Sequence, residues 1–102
     1  MTEVVEKLTV EAQVCLICGQ VRETAVSRGM SICNNGGEVV GQVAAVLLDG
    51  RSQQPTHLVL SRLVPEYRLV PIGQMVDVTQ AHVLLQLSSE QINQLPLHIP
   101  KP

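Results

Sequence analysis

Along the chain, apolar residues recur mainly at every second position, in short runs closed by Gly, Pro, Asn or Asp. That spacing puts one side of an extended strand against a core, and it predicts strands rather than helices. Residues 3–13 mix helical and alternating spacing and read as a frayed start. A first strand is expected over about Thr9 to Cys18, followed by a return strand or irregular segment with a break at Gly29. Asn34-Asn35-Gly36-Gly37 is the strongest turn signal, because Asn and Gly tolerate the positive φ that tight turns need. From Val39 to Leu48 both alternating sets are apolar, so this strand is expected to be central or strongly bent. Gly41 inside it suits a bulge or the close approach of a neighbouring backbone. A polar turn at Asp49-Gly50 leads to a pairing strand over residues 57–64. Pro65 and Pro71 bracket "YRLV", a short or edge strand, since proline cannot donate to a ladder. "MVDV" and "HVLLQL" complete the strands.

The period changes near the end. Ser88 is placed as an N-cap, Gln91 completes a capping box, Leu87 and Ile92 form a hydrophobic staple and Pro96 stops the turn, so one short helix is expected over residues 88–95. Residues 97–102 are expected as an extended tail.

Composition sharpens this picture. The chain has 102 residues, 45% of them apolar, with no Phe or Trp and Tyr67 as its one aromatic. One domain over 1–102 with an aliphatic, β-favouring core is expected, comprising an N-terminal strand region (1–29), a core (30–96) and the tail. The net charge is −2 and the basic residues are scattered, which offers no footprint for DNA and makes RNA an unfavoured partner. No apolar run reaches the roughly 20 residues of a membrane span, and the N-terminus is acidic, so a soluble cytoplasmic protein is expected. Three cysteines, an odd number, argue for reduced thiols rather than a disulfide framework.

The segments "GEVVGQVAAVLLDG", "PTHLVLSRL", "YRLVPIGQM" and "VLLQLSSEQINQLP", in that order between Met30 and Pro96, resemble the PRC-barrel domain. The resemblance implies a small, strongly bent antiparallel β-barrel with a short helix near its end. Such domains occur in the cytoplasmic subunit of purple-bacterial reaction centres, in a ribosome maturation factor and in stand-alone prokaryotic proteins. It implies no catalytic residues.

Few residues suggest chemistry. Cys15-x-x-Cys18-Gly19 has the spacing of a zinc knuckle, with Cys33 and His57 as further candidate ligands, but a matching second knuckle is missing. The same thiols could form a redox pair, but buried or partly buried structural cysteines are the favoured reading. His57, His82 and His98 lack metal-site spacing, and Asp49 and Asp77 sit at strand ends where Asp is a usual turn residue. Leu63, Val64, Tyr67 and Arg68 form a proline corner that displays the aromatic beside an Arg, a composition enriched at interfaces. Gly36, Gly37, Gly41, Asp49, Gly50, Pro71, Ser88 and Gln91 are assigned structural roles.

The functional expectation is therefore a non-enzymatic binding or adaptor module without a cofactor, contacting a protein partner or a second copy through a barrel edge or rim. A zinc or thiol-redox protein using Cys15, Cys18 and Cys33 is the rival, and a ribosome-assembly role follows from the resemblance alone. A mean hydropathy of +0.22 with 16% charged residues favours a homodimer that draws on residues 4–14 and the Tyr67 segment.

Overall fold

The computed structural model describes residues 7–18, 20–62, 66–79 and 81–98, with side chains given outside positions 7, 15–18 and 20–23. The alternating runs form strands β1 (Lys7–Thr9), β2 (Glu11–Cys18), β3 (Gln20–Ser27), β4 (Ser31–Cys33), β5 (Val39–Leu48), β6 (Pro55–Ser61), β7 (Tyr67–Pro71), β8 (Met75–Val78) and β9 (His82–Leu85). A 3-10 turn, Ile72–Gln74, joins β7 to β8, and one helix, α1 (Ser89–Asn93), follows β9.

The main sheet runs β7-β6-β5-β4-β9-β8, with β1 also on β5, while β2 and β3 form a separate hairpin. All pairings are antiparallel except β4 with β9, where Ser31, Ile32 and Cys33 run parallel to His82, Val83 and Leu84. The mainly antiparallel arrangement that was expected thus holds with one parallel exception: three strands and a 3-10 turn separate β5 from β9, and the chain returns on the far side of β4.

The sheet does not close into a barrel by hydrogen bonding, but it cannot be flat either. Its end strands β7 and β8 would lie roughly 24 Å apart across five strand spacings of ~4.8 Å. Pro71 and Met75, joined by three residues, can be separated by at most about 14 Å. The sheet therefore curls until its two ends approach one another.

The expected first strand is split. β1 pairs with β5 from Lys7↔Leu48 to Thr9↔Val46, and β4 resumes on the same edge of β5 at Ser31↔Gln42. The other edge belongs to β6. Between Thr9 and Ser31 the chain advances 22 positions while β5 retreats four, so 18 residues loop out of what is geometrically one strand. Those residues are the β2–β3 hairpin, in register from Glu11↔Ser27 to Cys18↔Gln20. The Arg28 amide closes its base by donating to the Val10 carbonyl at 2.7 Å, and this explains the break at Val10.

The hairpin is packed rather than loosely attached. Val14 and Val26 are buried in the same cluster as Ile32, Val43, Val46, Leu58, Leu60, Val70, Val83, Leu85 and Ile92. In β6, Leu58, Val59 and Leu60 are consecutive and all buried, so both faces of this strand are covered. Gly41 has a steric reason: a Cβ there would lie 2.5 Å from both Leu60 Cδ1 and the Ser61 carbonyl oxygen. The helix begins at Ser88, whose hydroxyl accepts from the Gln91 amide while the Gln91 side chain accepts from the Ser88 amide. It ends at Asn93, two residues short of the expected Leu95. Among the described residues no helix is long and apolar enough to cross a membrane.

Candidate functional site

The rim where β6, β7, α1 and the C-terminal segment meet gathers most of the charged contacts among the described residues. Glu66 stands between two guanidinium groups: its carboxylate accepts from Arg68 Nη2 at 2.9 Å and lies 3.6 Å from Arg62 Nη1. Arg62 Nη1 also donates to the Asn93 side-chain oxygen, tying the strand end to α1. Two arginines thus share one glutamate. Donation from Arg68, followed by the attraction of both guanidinium groups, holds the Glu66 carboxyl below its ordinary value, and desolvation opposes this only in part. A shallow groove beside this network is lined by Val39, Val40, Arg62 and Glu66, with Val39 largely exposed.

Residues 96–98 lie along the outer edge of β7. The Leu69 amide donates to the Pro96 carbonyl and the His98 amide donates to the Tyr67 carbonyl, each at 2.9 Å, around the bridge Arg68↔Leu97. Arg68 Nη1 adds a bond to the Leu95 carbonyl at 2.6 Å. The segment expected to be a plain extended tail thus begins as an added strand; residues 99–102 lie outside the described part.

The Asn34 turn fastens the start of β5 to α1. Its buried side-chain oxygen accepts from the amides of Gly36 and Glu38, and its nitrogen donates to Ser89 Oγ at 2.8 Å. Gly37 takes φ +84°, a conformation costly for any residue with a Cβ. Asp49 organises the next turn, accepting from the Arg51 amide and the Ser52 hydroxyl, and these bonds lower its carboxyl pKa. Gly50 accepts there from the Gln53 side chain through its carbonyl, and Pro71 ends β7 opposite His57.

The residues expected to bind metal are not brought together. Cys15 and Cys18 lie in extended β2, paired with Glu23 and Gln20, so their Cα atoms are roughly 10 Å apart and do not form a knuckle. Cys33 is buried and pairs near Val39 at one end of β5, whereas His57 pairs with Leu47 near the other, about 25 Å along the strand. The His57 ring stands 3.0 Å from the Thr56 hydroxyl. Among the described residues no group of three or more His, Cys, Asp or Glu could hold one metal ion. The zinc site proposed from spacing is therefore not supported by the fold.

Of the interface candidates, Tyr67 and Arg68 are half-buried at the start of β7, and Leu63 and Val64 lie outside the described residues. Sequence reasoning missed Arg62, Glu66, Asn93 and the segment 95–98. A signal existed for two of them: Arg62 and Glu66 carry opposite charges across a proline corner, and Glu66 and Arg68 are two apart, the spacing of one strand face.

A curled, mainly β domain with a capped helix after its last strand defines the class. The chain belongs to the PRC-barrel domain family, whose model matches residues 27–92. The match begins at Ser27, the end of β3, so nearly all of the looped-out hairpin precedes it. No curated protein matches the chain.

Proposed function

We propose that the protein is a non-enzymatic binding module that acts through protein contacts of its sheet edges and rim, and that two copies pair through β1. Membership of the PRC-barrel family supports the first half of this reading. The observation that carries the second is the exposure of Leu8 (52%) and Val10 (57%). Leu8 belongs to a strand bonded on one side alone among the described residues. Leu8 also shares a face with Leu47, its partner on β5, and with His57 and Pro71 in the same cross-strand row. An unpaired edge flanked by aliphatic side chains is a template for association, and a two-fold axis covers the same patch twice.

Sedimentation equilibrium at micromolar concentration tests the pairing. A mass of twice 11.1 kDa, reverting to 11.1 kDa in Leu8→Asp/Val10→Asp, is the expected result. A monomer in the unsubstituted chain overturns it, and a dimer unaffected by the two substitutions places the contact elsewhere.

A further inference from the structure

We propose that Pro96–His98, hinged at the core-packed Leu95, is a displaceable strap on the edge of β7, and that the edge beneath it docks an extended strand of a protein partner bearing an acidic residue opposite Arg68. This rests on the reading of the chain as a binding module and narrows it to one edge and one chemistry.

The strap satisfies the edge, but weakly. In the observed pairing, positions 96 and 98 turn their backbone groups towards β7, while Leu97 does not. Pro96 has no amide, so of these two positions only His98 has one to give to β7. Its central side chain, Leu97, is 59% exposed and adds little burial. Two backbone bonds and one bond from Arg68, each modest in net terms, give a closed-to-open ratio on the order of a hundred, and the apparent affinity of any competing strand falls by that ratio.

What lies under the strap indicates what would replace it. Release removes the Leu95 carbonyl from Arg68 Nη1, and Arg68 Nε, buried and without a hydrogen-bond partner, is already unfilled. The Arg68 side chain is 14% exposed and shares its one carboxylate, Glu66, with Arg62. Arg68 and Leu97 form a non-hydrogen-bonded pair, the closer of the two antiparallel pair types. An acidic side chain at the Leu97 position therefore meets an under-neutralised cation at short range, in a cross-strand pair of the favourable kind. A strand with amides at the positions now held by Pro96 and His98 gains a backbone bond that the strap cannot make.

Two substitutions move the strap in opposite directions and leave the core untouched. His98→Pro removes its last amide and loosens it; Leu97→Glu, at an exposed position, places a carboxylate opposite Arg68 and tightens it. Hydrogen exchange of the Leu69 amide reads the strap directly, whatever the oligomeric state. Roughly fivefold to tenfold faster exchange is expected in His98→Pro, and slower exchange in Leu97→Glu, because one modest bond is lost or gained. The probe for docking is a synthetic peptide of sequence QLAEHIAKP, titrated by fluorescence anisotropy. It should bind His98→Pro about tenfold more tightly than the unsubstituted chain, and Leu97→Glu least. A peptide with Leu in place of its Glu should bind more weakly. Leu69 exchange that is equal in all three chains overturns the strap. Fast exchange in His98→Pro without peptide binding overturns the docking edge, and this result leaves a dimer through β1 unaffected.

Discussion

Gly41 shows how a single residue sets the path of a sheet. The Ser61 backbone passes where its side chain would stand, so Gly41→Ala must push β6 away from β5 along their bonded register. Overpacking of this kind costs about 1–3 kcal/mol, and the urea midpoint should fall accordingly with little change in slope. Glu66 offers a second test. Its folded-state pKa lies below the ordinary 4.5, so its contribution to stability is fully present above that value and is lost as pH falls through the folded value. Glu66→Gln should thus lower thermal stability at pH 7, and the difference from the parent chain should vanish at strongly acid pH. Equal differences at both pH values would show that the carboxylate is not stabilised by Arg68. At this scale the sequence was informative where a residue acts through its backbone: a glycine inside an apolar run marks a close approach, and an Asn-Asn-Gly-Gly cluster marks a turn. It was silent on Arg68, because nothing in the order of residues says that a guanidinium near position 68 will meet carbonyls near position 95.

The elements were legible to the extent that their forces are local. The run from Val39 to Leu48 and the capping box at Ser88 could be placed because alternation and capping depend on neighbours in sequence. A return strand after Cys18 was one of two readings of the sequence, but the break at Val10 was not foreseen, since Thr9 to Cys18 alternates through Val10 and only the bond from Arg28 to Val10 reveals where the strand breaks. The zinc knuckle failed for a related reason: the same four residues can turn or extend, and pairing with β3 extends them. The hairpin's place in the core has a measurable consequence. Val26 is fully buried in the core cluster that residues of β5, β6 and β9 share, so Val26→Ala should cost about 2 kcal/mol in one cooperative transition. A separate early transition, or no change in the global midpoint, would show that the hairpin is an independent appendage.

For the whole molecule, curling rather than closure is the organising fact. The 3-10 turn Ile72–Gln74 brings the two sheet ends together without bonding them, and Met75 fills the junction from inside. Among the described residues this leaves β7, β8 and β1 each with one side outside the sheet's ladder, β7 covered by the chain's own C-terminal segment and β1 carrying exposed Leu8. Family membership could be read from small residues in order, because glycine turns and proline stops meet backbone demands that few other residue types meet. The parallel pairing of β4 with β9 could not, since it joins segments about fifty positions apart and leaves no mark on either.

The split strand also carries a timetable. β4 and β5 meet across a tight turn, and β5 and β6 across another, so both pairings close small loops early. Lys7 and Leu48 are 41 positions apart, and a hairpin must form between the two halves of their edge before they can align. Closing the longer loop has the larger entropic cost and comes after local pairing, so β1 should zip later than the β4–β5 and β5–β6 pairings. Thr9→Gly, which weakens β1 without touching the core, should leave the refolding rate nearly unchanged and speed unfolding in stopped-flow chevrons. During refolding the apolar edge of β5 near Leu47 would then stand open until its distant first partner arrives, and that interval is when neighbouring chains in a concentrated solution can take its place.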